Sequence, residues 1–179
     1  YTTFGMTAQS DLQAREISFK GNKSYFKVFH HEKLLGDVHL NIAGKHNIAN
    51  SLAGIATGIE LNIPFKTIKK ALEQIEGVKR RLEIKGEKKG IMVMDDYGHH
   101  PTEILATLTA VRESYKDKRL IVVFQPHRYT RTQGLFDEFT RSFYQSDILI
   151  LLPIYAASEK EIEGVDAQHL CEGIREHGH

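Results

Sequence analysis

The stretch Leu120-Ile121-Val122-Val123-Phe124-Gln125-Pro126-His127-Arg128-Tyr129-Thr130-Arg131 decides the fold. Its apolar run is too short for a helix. It fits a strand buried on both faces, as in a parallel sheet. The run stops abruptly at polar and charged residues, and open parallel sheets bind ligands beyond the carboxyl ends of their strands. The same grammar recurs on either side. Residues 91–95 are followed by Asp96-Tyr97-Gly98-His99-His100-Pro101, and residues 147–153 by Tyr155-Ala156-Ala157-Ser158. Helical patterns near residues 101–115, 135–144 and 166–177 alternate with these strands. Such alternation predicts βαβ units with right-handed crossovers, hence a Rossmann-like three-layer α/β domain from about Leu82 to the end.

The part before it follows another rule. Residues 1–43 read as an antiparallel meander, with Ile17 and Phe19, then Phe26 and Val28, then Val38, Leu40 and Ile42 alternating with polar neighbours. Gly21-Asn22-Lys23 and residues 30–33 supply turns. From Asn47 the period becomes helical through Ile48, Leu52, Ile55, Ala56 and Ile59. Asn62 lies past the last turn. Pro64 opens a second helix over about residues 65–74, which Gly77 ends. Gly77-Val78-Lys79-Arg80-Arg81 reads as a linker, dividing the chain into domains at 1–78 and 79–179.

Composition narrows the function. With 24 Lys+Arg against 23 Asp+Glu, the formal charge of +1 argues against a nucleic-acid binder. No apolar run approaches the roughly 20 residues of a membrane span. The single cysteine, Cys171, excludes an intrachain disulfide and suits a reducing cytoplasm. A chain of 179 residues buries about two-thirds of its unfolded surface and needs no metal staple. It opens on Tyr1 rather than Met and stops at His179 inside a helical pattern, so the expectation is a piece cut from a longer protein.

Three constellations carry chemistry. Asp95, Asp96, His99 and His100 could bind a divalent metal, although their spacing matches no tetrahedral zinc pattern. Alternatively, one Asp ends the strand while His100 precedes a helix at Pro101. The favoured reading is nucleotide binding, with a carboxylate after a strand holding ribose hydroxyls. Arg128 and Arg131, three residues apart, suit a bidentate grip on a carboxylate or phosphate near a helix N-terminus; the plain alternative is a surface pair bridging to Asp137 or Glu138. Asn47 and Asn50 open a helix. Asn47 could be an N-cap, but two carboxamides on one face also suit the N6/N7 edge of adenine. Gly44-Lys45-His46 is no phosphate loop, because His39 and His46 stand where Gly and Ser/Thr would be required.

Taken together, these residues resemble a known family. Gly44-Lys45-His46-Asn47-Ile48-Ala49-Asn50-Ser51-Leu52-Ala53 looks like the Gly-x-His-Asn-x-x-Asn-x-x-Ala helix of the Mur ligases, the ATP-dependent amide-forming ligases of peptidoglycan precursor synthesis. Arg80-Arg81-Leu82-Glu83 resembles the start of their C-terminal domain. Asp95-Asp96-Tyr97-Gly98-His99-His100-Pro101-Thr102-Glu103 and residues 124–132 are similar to the branch that adds the first amino acid, L-alanine, to UDP-N-acetylmuramic acid. The resemblance covers the chain from about residue 35.

The family has a UDP-sugar domain, a central ATPase domain and a Rossmann-like C-terminal domain that closes over the ATP. The resemblance therefore implies the end of the central domain followed by a truncated third domain. The phosphate loop and magnesium ligands would lie upstream, and the piece alone would be inactive. It also implies roles. Asn47 and Asn50 would contact adenine with His46 beside them, Arg81 would reach the phosphates, and Asp96 would hold the ribose. His99, Arg128 and Arg131 would face the amino acid, with Tyr97 and His127 nearby. His99 would orient or deprotonate the amine. The substrates would be ATP, L-alanine and UDP-N-acetylmuramic acid. Open alternatives are the sister ligase that attaches whole tripeptides during recycling, a metal-dependent phosphohydrolase, and a non-catalytic nucleotide-binding module.

Overall fold

A computed structural model describes residues 1–76 and 79–179. The boundary expected at 78/79, and the helix stop expected at Gly77, fall on Gly77 and Val78, outside the described residues. Contacts divide the chain into two compact units: Tyr1–Asp96 with Glu113–Tyr115, and Tyr97–Arg112 with Lys116–His179.

In the first unit β1 (Phe4–Gly5), β2 (Leu12–Lys20), β3 (Lys23–His30) and β4 (Lys33–Leu40) form one sheet in sequence order. The expected meander is present in β2–β3–β4, while β1 adds in parallel to β2. The alternation changes parity inside β2. Leu12 and Ala14 are buried, then a bulge between Arg15 and Ser18, with Glu16 at φ 53°, turns Ile17 and Phe19 to the packed side. Two helices, α1 (Lys45–Glu60) and α2 (Phe65–Glu73), cover that side. Ile48, Leu52 and Ile55 of α1 and Ile68 of α2 meet Phe26, Val28, Val38 and Leu40 in one core.

A hairpin of β5 (Glu83–Lys88) and β6 (Ile91–Asp95) completes this unit. Its two-residue turn is Lys89-Gly90, both with positive φ (52° and 77°), the backbone that matches the twist of a tight hairpin. The sequence reading placed β6 in the parallel sheet. Here its ladder partner is β5, antiparallel, with Glu83 opposite Asp95.

The second unit contains α3 (Pro101–Ser114) up to Arg112, then β7 (Ile121–Phe124), α4 (Tyr129–Gly134), α5 (Phe136–Thr140), β8 (Ile148–Leu151) and α6 (Ala167–Glu176). Strands β7 and β8 pair in parallel, Ile121 with Ile148 through Phe124 with Leu151. Ile104, Leu108, Phe139, Phe143, Leu170 and Ile174 pack on Phe124, Val122, Leu149 and Leu151. The strands were expected to be buried on both faces. Within this unit they are covered on one, and Ile121, Val123, Ile148 and Ile150 on the other are 37–62% exposed. Of the helix expected over residues 135–144 only the short α5 is present, and a further helix, α4, precedes it and meets it at Leu135. No helix among the described residues is long and apolar enough to cross a membrane.

Candidate active site

The start of α1 carries the first group of candidates. Gly44 is the N-cap, at φ 112°, a backbone that an L side chain rarely adopts. This accounts for the glycine beside Lys45 without a phosphate loop. Asn47 is therefore in the first turn rather than at the cap, and its Nδ2 donates to the Ala43 carbonyl at 2.7 Å. That bond fixes its carboxamide. Asn50, one turn on, is exposed. His46 is half-buried, and burial pushes its pKa below the ordinary value of 6.5; Asp96 opposes the shift and Arg81 adds to it. The electrostatics thus gather His46, Arg81 and Asp96 around the helix that bears Asn47 and Asn50, all within the first unit.

Arg81 sits between Arg80 and Leu82, both left-handed at φ 57° and 49°. Such backbone is costly for non-glycine residues and persists where the surroundings hold it. Part of that hold is Asp96, whose Oδ2 accepts the Leu82 N–H at 2.9 Å. Asp95 lies 3.6 Å from the Arg80 guanidinium. One carboxylate thus anchors the segment carrying Arg81, while its neighbour pairs with that segment's other arginine.

The second group lies wholly in the second unit, where three loops distant in sequence converge. Tyr97 meets His99 edge-on with centroids 5.2 Å apart, and His99 lies 6.3 Å from His127. His127 in turn stacks on Tyr155 at 5.4 Å. Arg131 Nη1 is 3.4 Å from both Nδ1 and the carbonyl oxygen of His127. The His127 pKa is lowered by burial first, then by Arg131, Arg128 and His99, with Glu159 opposing. The ring is accordingly neutral near pH 7, with Nδ1 facing a guanidinium that can only donate.

His99 is held differently. Its Nδ1 lies 3.1 Å from the Tyr97 carbonyl, which can only accept. In the neutral ring the proton therefore resides on Nδ1, and Nε2 is the acceptor. Glu103 fixes the backbone beneath, taking the N–H groups of His99 and His100 at 3.0 and 3.2 Å. His100 does what its position before the helix suggested: its Nδ1 receives the Thr102 N–H at 3.3 Å. Glu103 thus makes the return bond of a capping box, while His100 accepts the N–H of the second helical residue.

Arg128 and Arg131 do not share a helical face. Arg128 is the N-cap of α4, at φ 75°, and is exposed, whereas Arg131 is inside the helix and half-buried. Neither pairs with Asp137 or Glu138 among the described residues. The Thr130 N–H and hydroxyl are both taken by Glu159. Sequence reasoning passed over Glu103, Tyr155 and Glu159 as functional residues. His100-x-x-Glu103 carried a signal, the capping spacing; Glu159 carried none, since it meets Thr130 across 29 residues.

No group of three or more His, Cys, Asp or Glu residues suited to a metal ion exists among the described residues. The metal reading of Asp95, Asp96, His99 and His100 gains no geometric support.

The glutamate ligase domain of the Mur ligases matches residues 80–179, and the Mur ligase middle domain matches residues 1–58. The chain belongs to the Mur ligase family. A curated relative, the UDP-N-acetylmuramate–L-alanine ligase of Desulforapulum autotrophicum, is 65% identical over all 179 residues, which make up 39% of its own length. Among solved structures, UDP-N-acetylmuramate-alanine ligase MurC from Thermotoga maritima superposes with a TM-score of 0.82 at 25% identity, over 99% of this chain and 37% of that one. A murein peptide ligase from Psychrobacter arcticus gives 0.56 at 30% identity, over 97% of this chain and 35% of that one. The Mur ligase fold thus extends through both units, and the chain spans about two fifths of the curated relative's length.

Proposed function

We propose that this chain is the nucleotide- and amino-acid-handling part of a cytoplasmic ligase that joins L-alanine to UDP-N-acetylmuramic acid at the expense of ATP, the first amino-acid addition in peptidoglycan precursor synthesis. On this reading the middle and C-terminal domains meet at residues 78/79. The observation that carries it is the convergence of Tyr97, His99, His127 and Arg131 from loops after successive strands.

The chemistry follows in two displacements. A carboxylate oxygen of the sugar substrate attacks the γ-phosphorus, the bond to the β-phosphate oxygen breaks, and ADP leaves an acyl phosphate. The alanine nitrogen then attacks the acyl carbon, passes through a tetrahedral intermediate, loses a proton and expels phosphate. Such steps are catalysed mainly by positioning and charge stabilisation. Asn47 and Asn50 read the adenine edge beside His46, Asp96 faces the ribose, and Arg81 answers phosphate charge. Arg128 and Arg131 grip the alanine carboxylate, a planar anion matched to guanidinium. His99, with Nε2 as acceptor, takes a hydrogen bond or proton from the amine, and Tyr97 flanks it. Magnesium accompanies ATP on this reading; the described residues gather no three-ligand group for it, and no step is drawn through it.

The test is a hybrid in which these 179 residues replace the matching stretch of the 65%-identical Desulforapulum ligase. Phosphate release dependent on L-alanine and UDP-N-acetylmuramic acid supports the proposal. Release that instead requires a tripeptide would assign the chain to the recycling ligase, and no release with either would refute both.

A further inference from the structure

We propose that Glu159 is a positioning residue for the Arg128–Arg131 pair. The inference rests on the reading above that this pair receives the alanine carboxylate. Thr130 lies between the two arginines in sequence, and Glu159 grips it twice: Oε2 accepts the backbone N–H at 3.0 Å and Oε1 the hydroxyl at 2.7 Å. The loop that delivers Glu159 is tightly specified. Ala157 and Ser158 adopt left-handed φ of 48° and 70°, and the Glu159 N–H closes the turn on the Ala156 carbonyl at 3.0 Å.

Arg128 itself is pinned through its backbone. Its N–H donates to the Tyr155 carbonyl at 2.9 Å, and its carbonyl accepts the N–H and hydroxyl of the buried Thr132 at 3.1 and 2.8 Å. The loop after β8 thus holds the loop after β7 at two successive points, the Arg128 N–H and the Thr130 pair. The unusual φ of Arg128 is maintained by these bonds, which aim one guanidinium from before the helix and the other from within it. Glu159 also occupies the Thr130 N–H, one of the donors in the first turn of α4. It touches no substrate on this account; it acts through Thr130.

Kinetics of the hybrid enzyme test this. Glu159→Ala should raise the KM for alanine about tenfold while the KM for ATP moves less than about twofold, as expected when a substrate clamp is displaced. Glu159→Gln should restore the alanine KM, because its Oε1 can accept the Thr130 N–H and its Nε2 can donate to the hydroxyl. An unchanged alanine KM in Glu159→Ala would overturn the inference. So would equal rises for ATP and alanine, or a Gln variant as impaired as Ala. Should Glu159→Ala fail to fold, Thr130→Val removes one of the two bonds at nearly constant volume, and an alanine KM unmoved by it has the same force. Arg131→Ala is the control. If it leaves the alanine KM unchanged, the carboxylate grip itself is wrong and this inference falls with it; if it raises that KM and Glu159→Ala does not, only the role of Glu159 is refuted.

Discussion

One oxygen of the Glu103 carboxylate receives the backbone N–H of His99 at 3.0 Å, and the same oxygen takes the next N–H as well. Two donors at the start of α3 are thereby satisfied, and the loop carrying His99 is tied to a helix rather than left to solvent. Glu103→Ala should lower stability by about 1 kcal/mol, the usual cost of a lost cap. Glu103→Gln, which keeps an acceptor oxygen, should recover most of it. Urea unfolding of the three proteins decides the matter, and equal midpoints would mean that the cap contributes nothing.

His127 should titrate below the ordinary histidine value of 6.5, because burial and the charges of Arg131 and Arg128 disfavour its imidazolium. Removing Arg131 as Ala should move that titration upward, and removing the charge of Glu159 as Gln should move it downward. Ring-proton NMR shifts against pH read both directions. The sign for stability follows: the unfolded chain binds this proton more readily, so stability is retained above pH 6.5 and falls as pH drops below it. His46, lowered first by burial, contributes in the same sense.

The two carboxamides of α1 should separate when mutated. Asn47 donates to the Ala43 carbonyl, whereas Asn50 is exposed. Asn50→Ala should therefore raise the KM for ATP several-fold with no loss of thermal stability, a binding effect alone. Asn47→Ala should do both, costing about 1 kcal/mol for the lost hydrogen bond. An Asn50 variant with unaltered ATP kinetics would remove it from the nucleotide.

Gly58 lies where α1 meets α2. A Cβ there would stand 2.5 Å from Cδ1 and 2.9 Å from Cγ1 of Ile68. Gly58→Ala should destabilise by about 1–3 kcal/mol through overpacking, although alanine favours helix. Pairing it with Ile68→Val, which opens space, should return part of the loss. Thermal melts of the single and double variants check the coupling.

Much of this architecture was legible because short-range patterns and long-range packing agree. In β3 and β4, Phe26, Val28, Val38 and Leu40 alternate in sequence and are all buried. In α1, Ile48, Leu52 and Ile55 recur with helical period and face one core. Where the reading failed, a signal was weak or misleading. The strand Glu83–Lys88 has five of its six residues exposed, so no hydrophobic period announced it. For β7 and β8, continuous apolar sequence implied cover on both faces, yet Ile121, Val123, Ile148 and Ile150 are exposed, because an apolar run does not itself say which face is packed. Of the candidate site, residue types and loops were readable, as with His99, His127 and Arg131. Their mutual support was not, because Glu159 and Thr130 meet across 29 residues.

The central claim is that the Arg128–Arg131 pair holds the carboxylate of alanine while the α1 carboxamides hold ATP. Steady-state kinetics of Arg131→Ala in the hybrid ligase test it most directly. The account predicts a KM for alanine raised at least about tenfold, with the KM for ATP changed less than about twofold. Equal changes in the two constants, or an unaltered alanine KM, would contradict it.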